Sequence, residues 1–314
     1  MNTVVWFART PRASIMETET LNDSQRGRAT TRLRQMLKDG PLLAAPGVYD
    51  GITARLAEQA GFRALYMTGA GTAASHGLPD YGLLTMTEMV ANAARIVACT
   101  SVPLIADADT GFGNELNVTR AVQAYEQAGV AGIHIEDQVS PKRCGHLDGK
   151  ELVAVPEFVA KIRAALAARR DPDFVVIART DANGVNGFDD AIMRANAALA
   201  AGADLAFVEA PRDREQIAAI VREVKGPCLF NIVRGGKSPD MPLAELEALG
   251  YRLAILPSLL LASVMQTCER ELAALRETGV PPASNTALSA KERFQRMGAD
   301  EWDALRTRFL DPSR

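Results

Sequence analysis

Eight short apolar runs, rich in Val, Ile and Leu and each closed by turn residues, recur at regular intervals: LLAAPG, ALYMTG, PLIADAD, GIHIED, FVVIART, LAFVEA, CLFNIV and RLAILP. Between them lie segments with apolar residues at helical spacing, among them GITARLAEQAGF, NVTRAVQAYEQAG, VPEFVAKIRAALAARR, DDAIMRANAALAAG and PLAELEALG. Strand then helix, eight times over, predicts a parallel sheet. Strands apolar throughout, rather than alternating, predict burial on both faces. Eight such units between residue 41 and about 275 match the span of a (β/α)8 TIM barrel; a doubly wound open sheet is the lesser alternative. AGFRALYM, AGVAGIHI and AGADLAFV put a Gly at the helix-to-strand return, where a left-handed C-terminal residue is common. The expected organisation is a poorly ordered extension over 1–27, a catalytic barrel over 28–280, and a helical tail over 281–314 that packs on another subunit.

A hydrophobic fraction of 47% and a charged fraction of 23% supply ample material for a core, which excludes disorder throughout. The net charge of -3 gives no positive field for phosphate backbones, so a small molecule is the expected partner and nucleic acid is not. No run approaches the roughly 20 apolar residues of a membrane helix, and the apolar patch before Arg9 is too short for a signal-peptide core. The four cysteines, Cys99, Cys144, Cys228 and Cys268, form no CxxC pair and no zinc spacing. They read as reduced thiols of a cytoplasmic protein.

In a barrel of this kind the chemistry sits at the C-terminal ends of the strands. There the sequence places Tyr66, Thr68, Gly69, Asp107, Asp109, Glu136, Asp137, Arg179, Asp181, Glu209 and Asn231. So many charges on one rim are costly unless they pair with each other or with a metal. Asp107, Asp109 and Glu136 are hard oxygen donors, suited to Mg2+, with Mn2+ as a substitute, rather than to Zn2+; helix capping is the competing role for the aspartates. Arg179 carries a planar fork that fits a substrate carboxylate. Glu209 and Asn231 are equally open to structural and binding roles. The loop PKRCGHLDGK follows the fourth strand, so Cys144, flanked by Lys142, Arg143 and His146, is expected to have a lowered pKa and to serve as an acid or base. His134, inside a strand, and His76, in a loop, receive no role.

The stretches MTGAGTAASHGLPDYG, DADTGFGN, EDQVSPKRCGHLDGK, IARTDA and NIVRGGKSP together resemble the isocitrate lyase and phosphoenolpyruvate mutase superfamily, over about residues 40 to 275. The branches most similar are the 2-methylisocitrate lyases, the 2,3-dimethylmalate lyases and the carboxyvinyl-carboxyphosphonate phosphorylmutases. The resemblance implies a barrel whose eighth helix is swapped between neighbours, in a homotetramer built as a dimer of dimers. It implies a Mg2+ site at Asp107, Asp109 and Glu136, partly through water. Substrate contacts would fall on Thr68, Gly69, Ala70, Gly145, His146, Arg179, Glu209 and Asn231. The implied reaction is cleavage of a 2-hydroxy dicarboxylate of alkylmalate or methylisocitrate type to an α-keto acid and a carboxylate. Cys144 would protonate the departing enolate, and either Tyr66 or Glu209 would act as base. A phosphonomutase, or an oxaloacetate decarboxylase or hydrolase, is the alternative. Two positions depart from the pattern: Ala262 stands near where methylisocitrate lyases carry an Arg, which favours a smaller or more apolar substrate, and Arg234 stands where relatives often carry Glu.

Overall fold

A computed structural model describes residues 27–283 and 288–310. The expected extension over 1–27 therefore lies outside the described residues except for Gly27. Eight parallel strands close into a barrel in sequence order: β1 Leu43–Val48, β2 Leu65–Met67, β3 Leu104–Asp107, β4 Gly132–Glu136, β5 Val175–Thr180, β6 Leu205–Val208, β7 Cys228–Asn231 and β8 Leu253–Leu256, with β8 pairing back to β1. This excludes the open sheet. The helices are α1 Ala29–Asp39, α2 Gly51–Gln59, α3 Gly69–Ser75, α4 Met86–Cys99, α5 Glu115–Gln127, α6 Val155–Ala168, α7 Phe188–Ala200, α8 Arg214–Glu223, α9 Leu243–Leu249, α10 Leu259–Thr278, α11 Ala290–Arg296 and α12 Ala299–Leu310.

The alternation of side chains along each strand decides what faces the barrel axis. Leu43, Ala45, Tyr66, Ile105, Val175, Ile177, Leu205, Phe207, Leu229, Leu253 and Ile255 pack in one buried cluster that fills the interior. Their strand neighbours Leu65, Met67, Leu104, Ala106, Ile133 and Val176 belong instead to the cluster under the outer helices. Extending the inward parity to the C-terminal ends gives Thr68, Asp107, Glu136, Arg179, Glu209 and Asn231. The same rule that builds the core therefore aims the charged residues into the barrel mouth. At the opposite end α1 closes the barrel, with Leu33 fully buried in the interior cluster. Fully burying one such side chain contributes roughly 1.5–3 kcal/mol.

The predicted returns are present: Gly61, Gly129 and Gly202 have φ of 90°, 82° and 109°, a region that a Cβ disfavours. The β8–α10 connection leads to a helix of 20 residues with none buried. The helical tail over 281–314 is present among the described residues as α11 and α12. It touches α2, where Gln59 donates to the Arg296 carbonyl at 2.7 Å.

Candidate active site

Asp107, the last residue of β3, is held on all sides. Its Oδ2 accepts from the Gly69 amide and the Tyr66 hydroxyl, both at 3.2 Å, and its Oδ1 accepts from the Asp109 amide at 2.9 Å. A Cβ on Gly69 would stand 2.5 Å from that Oδ2, so only glycine allows the approach. Burial pushes the Asp107 carboxyl up, but His134, Lys142 and Arg179 beside it outweigh that and hold the group below the usual carboxylate range. Asp109 follows with φ 47°; burial and the nearby Asp107 and Asp80 raise it to about 6 against the pull of Lys142. Glu136 is fully buried and raised well above its ordinary value by that burial, opposed by Arg179 and Lys142.

Neither aspartate caps a helix; Asn114 caps α5. Asp109 Oδ1 and both Glu136 oxygens are buried without a hydrogen-bond donor. Lys142 Nζ lies 2.9 Å from Asp109 Oδ1 and Arg179 Nη1 lies 3.2 Å from Glu136 Oε2, as ion pairs without hydrogen-bond geometry. Glu136 Oε1 has no partner of either kind, and a buried hard oxygen of that sort, beside two others met only by ammonium or guanidinium, fits a magnesium-type ion. Among the described residues, no three His, Cys, Asp or Glu side chains are placed to hold a metal ion by themselves. The arrangement suits an ion that keeps water or substrate in its shell.

Arg179 is already engaged. Nε and Nη2 fork onto Asp181 at 3.0 and 3.2 Å, Glu209 lies 3.9 Å from Nη2, and Phe207 sits beneath the guanidinium at 5.1 Å. The fork expected to face a substrate carboxylate is thus spent on Asp181, while Nη1 faces Glu136. Asp181 is in turn fixed by Asp137, which accepts from the Asp181 amide at 2.9 Å, the Thr180 hydroxyl at 2.6 Å and Arg194 at 3.3 Å. Burial and the neighbouring Asp181 raise Asp137 to about 6.

Glu209, just beyond β6, accepts from Asn231 Nδ2 at 3.3 and 3.2 Å. His146 Nε2 stands 3.1 Å from its Oε1, and the Lys237 amide donates to His146 Nδ1 at 3.0 Å. A ring whose Nδ1 accepts a backbone N–H carries its proton on Nε2, so His146 turns its N–H edge to Glu209, in close contact without hydrogen-bond geometry. Burial opposes ionisation of Glu209, but Arg179 and His146 overcome it and lower the group to about 2. Tyr66 is the reverse case: burial and the adjacent Asp107 lift the phenol well above its ordinary value. Its oxygen meets His134 Nε2 at 2.8 Å, beneath Asp107. His134 is held near 4 by burial, against Asp107, and its Nδ1 has no partner. Thr68 caps α3 through the Gly71 amide, and Gly69 and Ala70 open that helix beside Asp107.

The Cys144 loop lies over this floor. A Cβ on Gly145 would fall 2.5 Å from Arg179 Nη2, Glu209 Cγ and Glu209 Oε1. Sequence neighbours suggested a lowered thiol pKa; the structure corrects this. Lys142 is buried and turns away to Asp80 and Asp109, and Arg143 stacks over Tyr81 at 5.9 Å. Burial therefore dominates and raises the Cys144 thiol, leaving it protonated. The cavity bounded by Gly69, Asp80, Gly82 and Asp109 is only about 10 Å3, room for about one water. A larger cavity, about 890 Å3, opens at the other end of the barrel, beside Arg32, Met36 and Phe62. Size and chemistry disagree here, and the convergence of charges marks the loop-covered end. Ala262, in the first turns of α10, and Arg234, after β7, are both exposed.

Lys142, Asp80, Gln138 and Lys150 are part of the site's structure and were missed as such in sequence. Asp137 and Asp181 were on the rim without a role.

Fold and site together define a (β/α)8-barrel enzyme with a lidded, carboxylate-rich mouth. The family model for phosphoenolpyruvate phosphomutase matches residues 33–276, and the chain belongs to that family. It is 51% identical over 228 residues to the 2,3-dimethylmalate lyase of Eubacterium barkeri, covering 72% of this chain and 79% of that one. A crystal structure of 2,3-dimethylmalate lyase, described as a PEP mutase/isocitrate lyase superfamily member, superposes with a TM-score of 0.85 at 42% identity, covering 89% and 94% of the two chains. Oxaloacetate acetylhydrolase bound to 3,3-difluorooxalacetate superposes at 0.87 with 39% identity, covering 91% and 98%. Within the superfamily the chain is a carbon–carbon lyase.

Proposed function

We propose that the chain cleaves a 2-hydroxy dicarboxylate of alkylmalate type into an α-keto acid and a carboxylate, with Mg2+ bound by Asp107, Asp109 and Glu136. The observation that carries this reading is a neutral thiol poised above an ionised carboxylate and a fixed guanidinium, beside a buried Glu136 oxygen that lacks any partner. When bound, the ion supplies Lewis-acid charge that acidifies the substrate hydroxyl and offsets charge on the keto acid. Glu209, ionised and aimed by Asn231 and His146, takes the hydroxyl proton. Tyr66, a neutral phenol, is a donor rather than a base. As the C–C bond breaks, its electron pair stays on the second fragment as a carboxylate-stabilised enolate. Cys144 transfers its proton to that carbon, and Arg179, rigid on Asp181, offsets the developing charge. The loop, lying over the site, excludes water from the enolate until it is protonated.

The similarity to 2,3-dimethylmalate lyase, with exposed Ala262 unable to hold a third carboxylate, favours a dicarboxylate over a tricarboxylate. The identity to an oxaloacetate acetylhydrolase supports a second reading, hydrolysis of oxaloacetate at the same site. Keto-acid release with Mg2+ from malate, 2,3-dimethylmalate, 2-methylisocitrate, isocitrate, oxaloacetate and phosphonopyruvate tests the assignment. The alkylmalate is expected to react fastest; release from phosphonopyruvate alone overturns it.

The assembly is read the same way. Helix α10 has no fully buried residue, only its first turn packs on its own barrel through Leu260, and it exposes Val264, Met265 and Leu272. It is assigned to a neighbouring barrel as a swapped eighth helix, in a homotetramer of swapped dimers. Light scattering at the mass of a monomer would contradict this.

A further inference from the structure

The Cys144 loop is fixed from below by two side chains, neither of which bonds to the thiol itself. Its neck is a short antiparallel pairing, Gln138 with Leu152, with the Val139 amide donating to Glu151 at 2.8 Å and the Val153 amide to Asp137 at 2.9 Å. Inside the neck the Gln138 side chain, 1% exposed, pairs with the backbone of Arg143 as a peptide would. Its Oε1 accepts from the Arg143 amide and its Nε2 donates to the Arg143 carbonyl, both at 2.9 Å. On the other side of the thiol, Lys150 sends a buried ammonium to the Gly145 carbonyl and, at 3.0 Å, to the Leu147 carbonyl. That ammonium also lies 3.7 Å from Asp181 Oδ1, the carboxylate that carries the Arg179 fork. The residues before and after Cys144 are thus each tied to the protein by a buried charged or amide group.

We infer that Gln138 and Lys150 are positioning residues for Cys144: they hold the peptides on both sides of it, and Lys150 refers the loop to the same Asp181 that orients Arg179. A buried ammonium satisfying two carbonyls is a costly group to remove. The proton donor and the charge-offsetting guanidinium therefore share one anchor, and closing the loop registers one against the other. This rests on the role proposed for Cys144, but the geometry can be tested without substrate.

The experiment is site-resolved alkylation of the full chain by iodoacetamide, mapped by peptide mass spectrometry. Lys150→Met keeps length and removes the charge. Gln138→Glu keeps the acceptor for the Arg143 amide and sets an oxygen against the Arg143 carbonyl. In each variant the rate at Cys144 is expected to rise by about tenfold, with Cys228, buried elsewhere, unchanged. An unchanged Cys144 rate in a folded variant overturns the inference, as does a parallel rise at Cys228, which would mean general loosening. If neither variant folds, the wild-type chain decides: the Arg143 amide, donated to Gln138, exchanges with solvent about tenfold or more slowly than the unbonded amides of Asp148 and Gly149. Equal exchange refutes the frame. With an accepted substrate, both variants lower kcat more than they raise KM. A wild-type chain that cleaves nothing sinks the lyase reading and leaves the alkylation result standing.

Discussion

Gly145→Ala puts a methyl where the structure has no room. The added carbon would lie 2.5 Å from Arg179 Nη2, Glu209 Cγ and Glu209 Oε1, whereas ordinary contact begins at 3.4 Å. Something must retreat by about 0.9 Å, the difference between those two distances. The floor cannot yield easily, since Arg179 is forked onto Asp181 and Glu209 is held by Asn231 and His146. The loop therefore lifts and carries Cys144 with it. A misplacement of about 1 Å at a reacting group costs on the order of 100-fold in rate. The loop lies at the surface, so the lift costs little stability; overpacking in a rigid core would cost about 1–3 kcal/mol. The assay is kcat and KM for keto-acid release, with thermal unfolding as the control. The expected result is kcat down on the order of 100-fold with Tm shifted by only a few degrees. A Gly145→Ala enzyme within about threefold of wild-type kcat would refute the closed loop as the reacting geometry.

Glu209→Gln is expected to lower kcat on the order of 100-fold or more, and Tyr66→Phe by clearly less; the reverse order in steady-state assays would transfer the base role to Tyr66. Because burial raises the Cys144 thiol, its acid form persists through neutral pH, and the basic limb of the kcat profile lies above the ordinary cysteine range; a limb below neutrality would contradict the neutral donor. Chelation is expected to abolish activity and added Mg2+ or Mn2+ to restore it, read by keto-acid release; activity that survives thorough chelation removes the metal assignment. Arg194→Met strips a buried cation from Asp137 and Asp190. It is expected to cost about 3 kcal/mol, roughly 5 °C in Tm for a chain of this size, measured by calorimetry.

Most of the barrel was legible because its strands are buried on both faces, so each reads as an unbroken apolar run. All eight runs overlap a strand, and the strand-end rule located Asp107, Glu136, Arg179 and Glu209 before any geometry was known. The short helix α3 at Gly69–Ser75 reads in sequence as a loop of small residues. The electrostatics of the Cys144 loop were not legible, because side-chain direction overrides adjacency. Lys142 is two residues from the thiol, yet its charge is spent on Asp80, 62 positions away. Gln138, Lys150 and Asp181 hold their neighbours through backbone atoms or through each other, and no spacing in one sequence shows that.

The central claim is that a neutral Cys144 protonates the enolate left by carbon–carbon cleavage. The measurement that reaches it most directly is keto-acid release from 2,3-dimethylmalate by the wild-type chain and by Cys144→Ser, with Mg2+ present. Wild-type turnover, with a loss on the order of 100-fold or more in the serine variant at unchanged fold, is the predicted result. Equal rates in the two proteins would contradict it.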